Sequence, residues 1–315
     1  MPSSAVHTYT DPDDYAASVR GTNAEVTITE RGLFSAKFLY IDLHHLSMQR
    51  LSDNLARIAH AADFAGQATI SFCTRAGPSL LRNGIAMLPS NIIRRADAES
   101  YFQQSNGLAC FGNLSLPVEE MASVGEALVG CDLTPPKDAL TITPPRAAMA
   151  RLQRLHEVVG QLAEDAPEII ACLEAARGLE QALIESMVGC LGPGKVGEDR
   201  AALRQHAMIM RRFHRMVGDK PDQSIFVPEL CRAIAVSERT LRICCQEQLG
   251  VSPKQYLLLR RLHLMRRGLL ESGPTATTVT EIATRYGFWQ FGRLAGEYRS
   301  LFGELPSTTL ARPHG

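Results

Sequence analysis

Residues 228–256 read PELCRAIAVSERTLRICCQEQLGVSPKQY, and residues 279–310 read VTEIATRYGFWQFGRLAGEYRSLFGELPSTTL. The second stretch repeats the first. Cys231 aligns with Ala283 and Val236 with Phe288 at an offset of 52 residues. Leu241, Cys245, Gly250 and Pro253 align with Leu294, Tyr298, Gly303 and Pro306 at an offset of 53, so one residue is inserted at the second turn. A small residue where two helices cross, an apolar plug at the turn, an apolar pair one helical turn apart and a terminating glycine describe two short helices joined tightly.

The end signals support this reading in both copies. Ser237 is an N-cap, and the helix it opens runs over 238–249 and stops at Gly250. In the second copy Thr278-x-x-Glu281 is a capping box, the helix over 279–286 ends at Gly287, and another runs from about Gln290 to Phe302. Between the copies, Ser252-Pro253-Lys254-Gln255 starts a long helix that reaches about Leu270. Its stripe of Tyr256, Leu259, Leu262, Met265 and Leu269 packs inward, and Arg260, Arg261, Arg266 and Arg267 are read as a solvated or phosphate-facing surface. At ~1.5 Å per residue this helix spans roughly 25 Å. It can hold two short helices for successive major-groove segments, about 34 Å apart on B-DNA.

S-x-R-x-L-R from Ser237, I-A-x-x-Y-G-F from Ile282 and Y-R-x-x-F-G-x-x-P from Tyr298 resemble the AraC/XylS family of bacterial regulators over about 90 residues. The resemblance implies a sequence-specific transcription regulator whose helix after each turn meets double-stranded DNA in the major groove. The matching positions are Glu238, Arg239, Thr240, Arg242 and Ile243 in the first unit, and Gln290, Phe291, Gly292, Arg293, Gly296 and Arg299 in the second. Arg239 and Arg242 can reach guanine O6/N7, and Gln290 can pair with adenine; a phosphate contact is the alternative for either Arg. Three departures stand out. Cys245 replaces a usual Phe, and Ile243 and Gly296 stand where the family often has Arg. The first unit is therefore the better reader of bases, with the second more of an anchor through Arg293 and Arg299. Trp289 is read as packing against Phe288. The resemblance also implies contact with RNA polymerase, and an N-terminal sensing and dimerising domain, often a cupin-like barrel followed by helices, that answers to a small-molecule effector.

Charge agrees with one-sided contact to nucleic acid. The chain is neutral, with 33 Lys/Arg and 33 Asp/Glu, yet residues 221–315 hold 12 Lys/Arg against 8 Asp/Glu. Upstream, residues 1–24 are polar and read as partly ordered. Glu25–Glu30, Phe34–Leu43 and Ala68–Cys73 are short β-branched and aromatic runs punctuated by Gly, Asn and Pro, which predicts a small antiparallel sandwich or barrel over 25–116. Pro117–Val129, Pro145–Leu162, Pro167–Val188 and Glu198–Val217 read as helices, with 145–217 offering surfaces for a homodimer. Residues 217–223 are polar with Gly and Pro and make the linker to 224–315.

The expected fold class is therefore α+β: an N-terminal domain over 25–216 and an all-helical domain of two helix-turn-helix units joined by a long helix. No cationic start precedes an apolar run and no stretch reaches membrane-spanning length, so a cytoplasmic protein is expected. The eight cysteines show no C-x-x-C spacing and read as reduced core thiols, with Cys244 and Cys245 facing different sides of a helix. Adjacent His44 and His45 face opposite sides of a strand and cannot chelate one metal; His60 stands alone, and these histidines are read as surface or hydrogen-bonded residues. Met208, Met210, Phe213 and Met216 read as a packing face, and Gly192-Pro193-Gly194 as a hinge. No G-x-S-x-G elbow or phosphate loop occurs, so no catalytic residue, metal or cofactor is expected. The competing reading is a cupin-type enzyme fused to a DNA-binding tail.

Overall fold

The computed structural model describes residues 1–75, 77, 80–192, 195–196, 201–218, 225–272 and 277–312. The chain begins with β1 (Ser3–Tyr9), α1 (Pro12–Ser18), β2 (Thr22–Ile28), β3 (Ala36–Asp42), β4 (Ser47–Asp53), β5 (Arg57–Asp63) and β6 (Gln67–Cys73). It continues through β7 (Leu80–Arg82), β8 (Ile85–Ala86), β9 (Ile92–Arg94), β10 (Ser100–Ser105) and β11 (Ala109–Pro117). Then come α2 (Val118–Val129), β12 (Leu140–Thr143), α3 (Arg146–Asp165), α4 (Pro167–Ala171), α5 (Leu173–Leu191), β13 (Lys195–Val196) and α6 (Ala201–Gly218). The C-terminal part holds α7 (Val227–Ala233), α8 (Glu238–Leu249), α9 (Pro253–Ser272), α10 (Val279–Arg285), α11 (Phe291–Phe302) and α12 (Pro306–Leu310).

The strands form two antiparallel sheets, ordered β1-β3-β4-β11-β6-β9-β12-β13 and β2-β5-β10-β7-β8. They face each other without closing into a barrel, so the sandwich alternative of the sequence reading is the observed one. Period-two alternation assigns each strand residue to a layer. Leu39, Ile41, Met48, Ile70, Phe72 and Leu114 of the larger sheet pack under α2, α3 and α5. Phe38, Tyr40, Leu51 and Phe111 point the other way and meet Val26, Ile28 and Ala59 of the smaller sheet. The smaller sheet's outer face carries Ile58 and Phe102 into the core of α6, α7 and α8. The order is thus helices, sheet, sheet, helices.

Residues 1–24 depart from the expectation of partial order. β1 pairs with β3 from Ser3↔Asp42 to Tyr9↔Ala36, and Asp11 caps α1 by accepting from the amides of Asp13 and Asp14. Strands β4, β5 and β10 escape a hydrophobicity reading because charge lies between the sheets. Arg57 donates to Asp53 at 2.8 Å and to Gln103 at 2.8 Å, with both ionic side chains almost inaccessible. Arg82 and Glu99 form a second such pair at 2.9 Å. Removing one partner of such a pair costs about 3–5 kcal/mol, because the other charge stays buried and uncompensated.

The run 167–188, read as one helix, is two: Cys172 adopts an extended conformation (φ −73°, ψ 121°) between α4 and α5. α6 packs Ile209, Met210 and Phe213 into the same cluster as Leu230, Cys231, Leu241 and Cys245. It therefore belongs structurally to the first helix-turn-helix, although composition groups it with the N-terminal part. Met208, read with this face, is instead half exposed. Most of the linker, 219–223, and Pro193 and Gly194 of the hinge lie outside the described residues.

Candidate nucleic-acid interface

The two repeats fold into matching units. In the first, the Val236 amide donates to the Cys231 carbonyl at 3.0 Å; in the second, the Phe288 amide donates to Ala283 at 2.9 Å. The residue before each plug has positive φ: Gly287 at 74° and Ala235 at 56°. Glycine accepts this conformation freely, whereas Ala235 pays roughly 1–2 kcal/mol for it. Ser237 accepts from the Thr240 amide at 3.0 Å, and Thr278 and Glu281 make the reciprocal capping box. α8 and α11 are each twelve residues long and end on left-handed Gly250 and Gly303. Leu241 and Cys245, like Leu294 and Tyr298, point into their unit's core. Each buried Leu or aromatic is worth about 1.5–3 kcal/mol.

Burying those faces leaves the opposite ones free. Glu238, Arg239, Arg242 and Ile243 are exposed at the start of α8, and Thr240 is half-buried. Among the described residues neither Arg239 nor Arg242 has an ion-pair partner. On the second unit Gln290, Phe291, Gly292, Arg293, Gly296 and Arg299 are exposed, and neither Gly292 nor Gly296 has an atom near its missing Cβ. Arg293 is held by Glu297 at 2.9 Å. Trp289 corrects the sequence reading: it is 77% exposed beside Gln290, while the Phe288 ring sits under Arg261 at 5.0 Å. Exposure was its missed signal, and residue type alone does not supply it.

Cys244 and Cys245 are both fully buried, in keeping with their reading as core thiols. Burial pushes the Cys244 thiol up to about 11 and the Cys245 thiol higher still. Cys245 lies against Met210 of α6, with the sulfurs 3.8 Å apart. That helix supplies the bulk that a Cys in place of Phe leaves unfilled.

α9 is twenty residues long, about 30 Å at ~1.5 Å per residue, and buries Tyr256, Leu259, Leu262, Met265 and Leu269 as expected. Its arginines do not face solvent or DNA as a group. Arg260 and Arg266 are buried against the N-terminal part: Arg266 binds Asp11 at 2.7 Å, Arg267 binds Asp13, and Arg260 lies 3.8 Å from Glu25. The His263 ring accepts from the Ile28 amide at 3.0 Å, and burial lowers its pKa to about 4. His60 is buried with its Nε2 2.9 Å from the Ser100 hydroxyl, the hydrogen-bonded alternative of the sequence reading, but it does not stand alone. It stacks on His214 of α6 at 3.3 Å, and burial, reinforced by His214, lowers it to about 3. The contact with His214, whose Nε2 lies 3.7 Å from the Glu25 carboxylate, holds Glu25 down at about 2, aided by Arg260. The acidic run DPDD and the basic 260–267 segment are thus complementary partners across 250 residues of sequence.

Residues 230–312 match the sequence profile of the helix-turn-helix domain. The chain is 39% identical over 101 residues to XylDLEGF operon transcriptional activator 3 of Pseudomonas putida, covering 32% of this chain and 30% of that protein. It is 41% identical over 88 residues to a probable thc operon regulatory protein of Rhodococcus erythropolis, covering 28% and 26%. The match therefore spans about a third or less of these relatives' length. Among solved structures, the AraC-like transcriptional activator CuxR aligns over 89% of this chain and all of its own, at 12% identity and a TM-score of 0.44. ToxT from Vibrio cholerae O395 aligns over 93% and 98%, at 12% identity and a TM-score of 0.28. Neither structural likeness carries weight at those scores. The repeated turn geometry and the sequence match agree: residues 230–312 of this chain form a helix-turn-helix domain similar to that of the XylDLEGF operon activators.

Proposed function

We propose that this protein regulates transcription by binding a specific DNA sequence through α8 and α11, under the control of a small molecule held by its N-terminal domain. The observation that carries the proposal is the repeated unit, which leaves Arg239 and Arg242 exposed and, among the described residues, without an ion-pair partner on one helix, and Gln290 and Arg293 exposed on the other. Arg239 and Arg242 are suited to bidentate hydrogen bonds with guanine, the commonest specific contact in the major groove. On α11, Gly292 and Gly296 offer no side chain to a base, and Arg293 must first leave Glu297. The second unit therefore contributes mainly to the phosphate backbone through Arg293 and Arg299, with Trp289 and Phe291 as apolar neighbours. Ligand control is consistent with the broad contact between the smaller sheet and the DNA-binding helices, because a ligand shifts an equilibrium only through its differential affinity for two states. Genome-wide mapping of bound sites tests the function. A shared sequence motif upstream of genes is the expected result; occupancy spread without a motif rejects sequence-specific regulation.

A further inference from the structure

A cavity of about 290 Å³ opens between the two sheets, where the last residues of β5 meet the chain entering β2. Water occupies about 30 Å³ per molecule, so the space suits a ligand of roughly ten non-hydrogen atoms. Its lining is polar: Arg20, Tyr40, Asp42, Gln49, Asp63 and Arg95. Gln49 is only 5% exposed and donates its amide to the Arg20 carbonyl at 3.1 Å. That acceptor fixes the orientation of the Gln49 amide and leaves its Oε1 buried without a hydrogen-bond partner. Arg95 binds Asp63 at 2.6 Å through one guanidinium nitrogen, while its Nε is also buried and unpartnered. Buried polar atoms are nearly always satisfied, so three unmet ones on residues of a single cavity, Gln49 Oε1, Arg95 Nε and Asp63 Oδ2, point to a ligand. Two arginines balance two aspartates, which favours a molecule of no net charge. Gln49 Oε1 and the Asp42 carboxylate offer acceptors, and the Arg20 guanidinium, which stacks on Tyr40 at 4.0 Å, offers donors.

We propose that this cavity binds a small zwitterion of the α-amino-acid type, with its ammonium toward Gln49 and Asp42 and its carboxylate toward Arg20. This deepens the ligand-controlled reading given above and rests on it. The cavity is also wired to the DNA-binding helices. The Phe64 amide donates to the Gly21 carbonyl at 2.9 Å, and Thr22 pairs with Asp63 at the mouth. Three residues along the same ladder, Glu25 pairs with His60. These two side chains meet His214 and Arg260, about 10 Å from the mouth at ~3.3 Å per residue. A ligand that holds Arg20 acts on the chain entering β2, and the β2–β5 ladder it leads into carries the interdomain contacts.

The test is thermal unfolding of the full chain with a panel of L-amino acids at millimolar concentration. Each is matched by its amine lacking the carboxylate and its acid lacking the amine, and a polyol of similar size is included. At least one amino acid is expected to raise Tm in a dose-dependent way, since any ligand preferring the folded state must stabilise it. Its two truncated analogues are expected to bind at least tenfold more weakly. Arg20→Gln lies on the exposed rim and cannot threaten folding; it is expected to weaken binding at least tenfold, as is Gln49→Leu. Hydrogen exchange should slow over residues 22–28 and 57–63 when ligand is bound. The proposal is overturned if no amino acid shifts Tm, if a truncated analogue or the polyol works equally well, or if neither substitution weakens binding. DNA binding measured with and without the panel keeps the two readings apart: its absence in both rejects the regulator, whereas its presence with an inert panel rejects only the zwitterion site.

Discussion

Phe102→Ala is the substitution that most directly probes how the two halves are joined. Phe102 is 2% exposed on β10, yet it packs in the same apolar cluster as Leu241, Cys245 and Tyr256 of the DNA-binding part. Its ring meets His60 edge-on at 5.1 Å, His214 at 5.5 Å and Tyr256 at 6.2 Å. Phe→Ala at a site this closed costs about 3–5 kcal/mol through lost transfer energy and an unfilled cavity. The three perpendicular ring contacts place this site toward the upper end of that range. Against a total stability of 5–15 kcal/mol, such a loss is large. The assay is urea unfolding combined with hydrogen exchange of peptides from β10 and α8. In the native protein the two peptides are expected to open with the same free energy, because one cluster spans both. In Phe102→Ala they are expected to separate, with α8 opening first. A loss below about 1 kcal/mol, or different opening energies in the unaltered protein, would refute the claim that this face is a shared core.

Four further outcomes follow from the same structure. Arg242→Ala is expected to weaken specific DNA binding by about 1–3 kcal/mol and relax preference at one base pair, whereas Glu297→Gln frees Arg293 and tightens binding about twofold; equal losses on every sequence would assign Arg242 to phosphate. Cys245→Phe is expected to overpack against Met210 and cost about 1–3 kcal/mol, with much of the loss recovered in the Met210→Ala double variant, as read by melting of both. Stability is expected to fall as pH drops below about 6.5, because burial holds His60 and His156 near 3 and His263 near 4 while the unfolded chain takes up those protons. Between neutrality and pH 5.5 each imidazole contributes up to about 1 kcal/mol to that loss. Below about 4.5 protonation of the unfolded chain at Glu25, held near 2 in the fold, acts in the same direction. A Tm unchanged between pH 7 and 5.5 would contradict the buried neutral state.

The C-terminal domain was legible because its signals are local. Ser237, Gly250, Thr278 with Glu281, and Gly303 fix helix ends through backbone bonds within four residues, and the repeat doubles each of them. The buried stripe of α9 follows from 3.6-residue periodicity. What could not be read is carried by partners distant in sequence. Arg57 sits inside a sandwich because Asp53 and Gln103 receive it, so β4, β5 and β10 show none of the expected alternation. Arg260 and Arg266 look like surface charge until Glu25 and Asp11 are placed against them. His60 looks isolated because its partner, His214, lies 154 positions away on a helix that packs with the other domain. The exposed face of α8 was visible in advance, since it is what remains once Leu241, Cys244, Cys245 and Leu249 are buried.

The central claim is that α8 and α11 grip DNA together and that α8 reads sequence. It is tested most directly by titrating the full chain onto a duplex from the region upstream of its own coding sequence, and onto an unrelated duplex, across a range of salt. The account predicts tighter binding to the upstream duplex, with log Kobs falling linearly in log salt by about 0.9 for each phosphate neutralised. It also predicts that Arg239→Ala with Arg242→Ala abolishes the preference while leaving salt-dependent binding in place. Equal affinity for both duplexes at every salt concentration, or no binding at low salt, would contradict it.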